Sequence, residues 1–187
     1  MRTAPTLTVI LILLSAVAAS AEPLTGRAAK KLMFPAKGAL VEMRPEAGLS
    51  AQDQTVLATV AAQQPYYGAI AISPGEGLMS EATVAAANYH DTAAAGTAAL
   101  ADCNARKKAA PACVIAALIR PEGYEARALQ LSLDATAALR KDYGGKGSAL
   151  AISAATGAWG LGQGAEAAVA ACAAKAAATD CTVVIEN

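Results

Sequence analysis

Rings are what this sequence has least of: one tryptophan, one phenylalanine and five tyrosines serve 187 residues, and histidine occurs once. A core built from this chain draws its apolar surface largely from alanine, which buries little area per residue. Such a core gains by close approach of backbones rather than by interdigitation of large side chains. The lone histidine, His90, is the only base open to a histidine-dependent mechanism, and it cannot furnish the imidazoles that metal sites commonly use. An excess of charge of one sign is missing too. Lys and Arg total 15, as do Asp and Glu, and no basic stripe or acidic tail points to nucleic acid or to an anionic membrane surface. No apolar run reaches the roughly 20 residues that a membrane-spanning helix needs.

The longest apolar run, Leu7 to Ala18, follows Met1 and Arg2 and precedes Ala19-Ser20-Ala21. A positive start, an apolar stretch of about a dozen residues and an A-x-A site predict a secretory signal peptide over residues 1–21, cleaved before Glu22. The mature chain is then expected in the periplasm or outside the cell, with no membrane insertion after cleavage. Its length suits one ordinary domain. Four cysteines, Cys103, Cys113, Cys172 and Cys181, read as disulfides in an oxidising compartment, and four cysteines allow three connectivities. A close C-x-x-C pair, which redox catalysis would want, is absent.

Self-similarity runs through the second half of the chain. Ala69-Ile70-Ala71-Ile72-Ser73 and Gly77 are matched without a gap by Ala149-Leu150-Ala151-Ile152-Ser153 and Gly157. Farther on, Leu100-Ala101-Asp102-Cys103 answers Val169-Ala170-Ala171-Cys172, and Cys113-Val114-Ile115-Ala116 answers Cys181-Thr182-Val183-Val184. The repeat favours the local pairings Cys103–Cys113 and Cys172–Cys181. Each closes about ten residues and stabilises by roughly 2–3 kcal/mol on the chain-entropy model.

Each copy predicts a central strand with isoleucine or leucine on one face and alanine on the other. A short loop ending near Gly77 or Gly157 leads to a second strand, then to an alanine-rich helix (92–106 or 165–177) and a third strand after the second cysteine. Asp91 suits the N-cap of the first such helix. Between the copies the alternation of Ala126, Ala128 or Leu129, and Leu131 predicts a strand over Glu125–Ser132, followed by a helix near Asp134–Lys141. Ahead of them come a helix around Gly26–Met33, a strand Ala39–Met43 and a helix Ala51–Gln63. Ser50 caps the last, and Val56, Leu57 and Val60 give it an apolar stripe.

The expected fold is α+β, with two duplicated strand-strand-helix-strand units sharing one mixed or antiparallel sheet, helices packed on it and two local disulfides. Residues 22–65 form a cover, copy one spans 66–120, a connecting strand and helix span 121–146, and copy two spans 147–187.

His90 lies in Asn88-Tyr89-His90-Asp91 just before a helix, where an exposed loop histidine and a capping aspartate explain the tetrapeptide. A catalytic reading would pair His90 with Asp91 or Glu81. Ser73 and Ser153 end equivalent strands, where serine ordinarily starts a turn. Gly160-Leu161-Gly162-Gln163-Gly164-Ala165 has the form of a dinucleotide fingerprint, but the first copy has no such glycines and a loop separates them from the preceding strand. Glycine there is expected to let the backbone pass beneath a neighbouring element. Tyr66, Tyr67 and Trp159 are either core rings or, if grouped on a surface, a binding site.

The block A-[IL]-A-I-S-x3-G-x-[MW], followed by an alanine-rich helix ending in cysteine and a strand opened by another, resembles an uncharacterised secreted bacterial family, an alanine-rich domain of unknown function. The likeness covers roughly residues 66–187, and the second copy, with Gly157-Ala158-Trp159-Gly160, is the nearer. It implies secretion and supplies no catalytic residues. The whole chain also resembles short exported proteins often labelled 5-aminolevulinate synthase. That activity implies pyridoxal phosphate on a Schiff-base lysine in a large two-domain frame, which a mature chain of this size does not supply. No cofactor is expected. The functional expectation is an exported binding module for an unknown protein or envelope component, the alternative being a small exported hydrolase using His90.

Overall fold

A computed structural model describes residues 22–187, and the signal peptide expected over residues 1–21 lies outside the described residues. In chain order the elements are α1 (Gly26–Leu32), β1 (Ala39–Met43), a 3-10 turn (Pro45–Ala47), α2 (Ala51–Ala61), β2 (Gly68–Ile72), β3 (Val84–Ala86), α3 (Thr92–Arg106), β4 (Val114–Pro121), α4 (Leu133–Lys141), β5 (Ser148–Ile152), β6 (Trp159–Gln163), α5 (Ala165–Ala176) and β7 (Thr182–Glu186). The fold is α+β, with antiparallel pairing throughout both sheets. Helix starts follow the expected caps: Ser50 accepts from the Asp53 N–H, and Asp91 accepts from the N–H groups of Ala93 and Ala94.

The strands form two sheets, β1-β4-β2-β3 and β6-β5-β7, rather than the single shared sheet expected. The reason lies in the pairing. Both sides of β2 are taken by β3 and β4, and both sides of β5 by β6 and β7, so neither central strand has an edge left to offer the other unit. Unit 1 is the β1-β4-β2-β3 sheet with α2 and α3, and unit 2 is the β6-β5-β7 sheet with α1, α4 and α5.

Residues 22–65 are accordingly more than a cover. β1 extends the first sheet along β4, α2 contacts β1 and β4, and α1 crosses to contact α4 and β7. Leu24 adds a parallel bridge to Ile185 on β7. The strand expected over Glu125–Ser132 does not form. Its alternation is spent on burying Leu129 and Leu131 against Leu150, Ile152 and Ile185, which holds the segment over a sheet face instead of along a sheet edge.

The two units match at the level of register. Pairing of β2 with β4 shifts between Ile70 and Ala71, and pairing of β5 with β7 shifts between Leu150 and Ala151. The central strands divide their faces as the alternation requires. Ala69 and Ala71 pack with Ala95, Ala99 and Cys103 of α3, and Ala149 and Ala151 pack with Ala168 and Cys172 of α5. On the opposite faces Ile70 and Ile72 meet Leu57 and Ala61 of α2, while Leu150 and Ile152 meet Ala135 and Leu139 of α4. The helix side is thus alanine on alanine, and the other side carries the bulk.

Close approach is most marked in unit 2. A Cβ on Gly160 would collide with the backbone of Ala168, Ala171 and Cys172, and one on Gly162 with the backbone of Ala167 and Ala168. The glycines of the apparent dinucleotide fingerprint therefore let α5 lie directly on β6. Both disulfides form with the local connectivity, Cys103–Cys113 and Cys172–Cys181, and each ties the alanine-rich helix of its unit to the start of the following strand. A helix with little side-chain interlock gains register from such a staple.

Two substitutions separate these effects. Gly160→Ala is expected to destabilise by about 2–3 kcal/mol through overpacking against α5. Gly96→Ala, inside α3 and only 3.7 Å from the nearest outside atom, Ile115 Cδ1, is expected to stabilise by about 0.5–1 kcal/mol. Urea unfolding of the oxidised protein measures both, and equal effects would contradict the close-approach account.

Candidate functional site

The units meet along the segment Asn88-Tyr89-His90-Asp91, and each residue there has a separate task. Asn88 takes a left-handed backbone, φ 66°, donates to Asp134 Oδ2 at 2.7 Å and accepts from the Asp134 N–H at 3.1 Å. Tyr89 continues the β2–β3 pairing by exchanging backbone hydrogen bonds with Tyr67. Asp91 caps α3. Gly157 of the β5–β6 loop, φ 73°, fits against this segment because a Cβ there would lie 2.8 Å from Asn88 O and 2.9 Å from Tyr89 Cα.

His90 is buried at 3% exposure, which corrects the expectation of an exposed loop residue. Its Nδ1 accepts from the Ser132 N–H at 3.0 Å. That fixes the other tautomer position, so Nε2–H donates to Ala158 O at 3.0 Å. One imidazole thus joins unit 1 to the first turn of α4 and to the β5–β6 loop. Burial pushes its pKa below the usual value, opposed by the hydrogen bond to Ala158 and by the charges of Asp91 and Asp180. Main-chain groups engage both ring nitrogens, leaving neither to take a substrate proton. Glu81, the other carboxylate of the catalytic reading, is exposed and pairs with Lys108.

A second junction is aromatic. Tyr66 and Tyr67, at 2% and 1% exposure, belong to a cluster with Phe34, Tyr124 and Leu133. Tyr67 stands edge-on to both Tyr66 and Tyr124, with centroids 5.6 and 5.9 Å apart. Arg127 lies 3.7 Å over Phe34 and Arg120 lies 5.0 Å over Tyr124. Burial raises the pKa of both Tyr66 and Tyr67. These rings are core, and they share no concave surface with Trp159.

Trp159 borders a shallow groove of about 420 Å³ between the units, lined also by Asn88, Asp134, Thr156 and Lys175. Its ring carries the Lys175 ammonium over one face and packs against the core of unit 2. Desolvation lowers the Lys175 pKa, and Asp134 opposes that. Among the described residues no cluster of His, Cys, Asp or Glu is placed to hold a metal ion, and no helix is long and apolar enough to cross a membrane.

The surface that sequence reasoning missed lies on unit 1. A groove of about 280 Å³ runs between α2 and the outer strand β3, lined by Val56, Leu57, Val60, Ile70, Leu78, Met79, Thr83 and Ala85. Of the stripe expected to be buried on α2, only Leu57 is. Val56 and Val60 are half exposed, and Met79 is 92% exposed. The second strand was expected to follow soon after Gly77, but the loop after β2 is longer than its counterpart in unit 2 and the strand starts only at Val84.

Ser73 and Ser153 are fully buried, each bonded to a carboxylate. Ser73 Oγ donates to Glu76, which also accepts from Ser80 Oγ and the N–H groups of Lys108 and Ala109. Ser153 Oγ donates to Asp180, which also accepts from the Ala155 N–H. Both knots tie a strand loop to the cysteine loop of the same unit.

Comparison with known protein families, with curated proteins and with solved structures found no match to this chain.

The donors around Glu76, led by the Ala109 N–H, then Ser80 and the Lys108 N–H, hold its pKa down to about 2 from the usual 4.5. A depressed carboxyl stabilises the fold fully above its unfolded value and loses that contribution as pH falls through the folded one. Stability is therefore expected to fall between about pH 4.5 and pH 2, and Glu76→Gln to flatten this part of the profile while lowering stability at neutral pH. Urea midpoints across that range measure it, and parallel profiles for the two proteins would refute the assignment.

Proposed function

We propose that this chain is an exported, duplicated binding module, and that unit 1 receives an extended apolar segment of an envelope protein along β3. The apolar groove between α2 and β3 carries the reading. Soluble proteins seldom leave valine and methionine side chains grouped in a concavity without a partner, and exposed methionine adapts readily to apolar ligands.

Unit 2 indicates what belongs in the groove. Ala85 pairs with Ile70 as Leu161 pairs with Leu150, so Thr83 and Ala85 occupy the places of Trp159 and Leu161. The second unit fills this part of its sheet face with its own large side chains at alternate positions, and the first leaves it to small ones. Among the described residues β3 is also the last strand of its sheet, an edge suited to strand addition, where main-chain bonds give affinity and alternate side chains give specificity. No charged residue lines the groove, which suits an uncharged segment. Export rests on the leader-like start and on the two disulfides, which persist in oxidising compartments. Duplication rests on the matched blocks together with the common register shift.

The test uses a synthetic uncharged peptide with large apolar residues at alternate positions and a scrambled peptide that places them side by side. Binding to the alternating peptide is expected, weakened at least about tenfold by Val60→Glu or Met79→Glu, each a loss of roughly 1.4 kcal/mol or more, without a change in melting temperature. Equal binding of both peptides, or photo-crosslinks that map to unit 2, would overturn the reading.

A further inference from the structure

We propose that His90 is a proton-sensitive latch between the units: a second ring proton turns Nδ1 from acceptor to donor and releases α4 and the β5–β6 loop from unit 1. This goes beyond partner binding and rests on different residues.

The geometry makes the latch two-state. Neutral His90 has one acceptor and one donor, and the structure uses both, facing the Ser132 N–H on one side and Ala158 O on the other. The imidazolium has two donors and no acceptor. Protonation would set Nδ1–H against the Ser132 N–H across a contact of 3.0 Å, with Ser132 fully buried and His90 nearly so. No solvent replaces the lost acceptor, and an unsatisfied buried donor is costly. Ser132 is also the N-cap of α4, accepting from the Ala135 N–H, so its displacement loosens the first turn of the helix that covers the second sheet.

The surrounding charges set the range in which this happens. Asp91 on the same segment and Asp180 ahead of β7 favour the charged ring, while burial disfavours it and prevails. Asp134 on α4 is engaged by Asn88, and Lys175 on α5 sits over Trp159. The β5–β6 loop, residues 153–158, carries no titratable side chain, and burial keeps the phenols of Tyr67 and Tyr89 neutral. With the folded value below the usual 6.5, the latch contributes fully above that pH and is lost as pH falls beneath it. Each unit keeps its own sheet and disulfide, so the junction yields before the units do.

Amide-exchange protection factors of the oxidised protein, taken at about pH 7.5 and about pH 5, test the latch. Protection in the first turns of α4 and at the β5–β6 loop is expected to fall at least about tenfold at the lower pH, while β2, β4, β5 and β7 hold. His90→Gln, whose amide supplies one acceptor and one donor at every pH, is expected to abolish the difference. Titration of the wild-type His90 ring by NMR gives a second readout that needs no variant: its midpoint is expected below the usual 6.5, at the lower end of the pH range over which protection is lost. Unchanged protection in the wild type, an equal fall in every strand, or a ring midpoint at or above the pH where protection begins to fall would each overturn the proposal.

Discussion

Everything in this molecule follows from setting alanine-faced strands against alanine-faced helices. Ala69 and Ala71 lie under α3, and Ala149 and Ala151 under α5. Alanine contributes little buried area per contact, so the gain comes from dispersion between backbones brought close together. Close approach has two structural costs. It demands residues without bulk at the crossing, which Gly160 and Gly162 supply, and it leaves the helix without the knobs and holes that normally hold it in place. The disulfides answer the second cost by anchoring each helix end to the next strand.

The same constraint explains why large side chains are concentrated elsewhere. Isoleucine and leucine fill the opposite sheet faces under α2 and α4, and four of the seven Phe, Tyr and Trp rings gather at one seam between the units. The seams are therefore chemically unlike the units they join. Tyr66, Tyr67, Phe34 and Tyr124 make one seam by shape, and His90 with Asn88 and Asp134 makes the other by hydrogen bonding.

Much of the fold was legible because it rests on local signals. Ser50 and Asp91 mark helix starts by side-chain capping, and β1 spans Ala39–Met43 as expected. The cysteine pairing was legible through the matched blocks. Other features depend on partners far away in sequence. Alternation in Glu125–Ser132 signals that Leu129 and Leu131 are buried, but whether an alternating segment joins an edge or lies across a face depends on which edges are already taken. His90 looked like a loop residue because its two partners, Ser132 and Ala158, stand 42 and 68 residues away. The α2–β3 groove was hidden for a related reason. Val56 and Val60 carry the pattern of a buried stripe, and only the width of the sheet beneath α2 decides how much of that stripe is covered.

The paired carboxylate knots show how a contact can persist while its source changes. In unit 1 the acid belongs to the strand loop and its amide donors to the cysteine loop, whereas in unit 2 the acid belongs to the cysteine loop and its amide donor to the strand loop. The buried serine alone holds the same station in both. A residue-by-residue alignment scores Glu76 and Asp180 as unrelated, yet the hydrogen bonds make them interchangeable parts. What the fold specifies at that corner is a negative charge between two loops, and it is indifferent to which loop provides it.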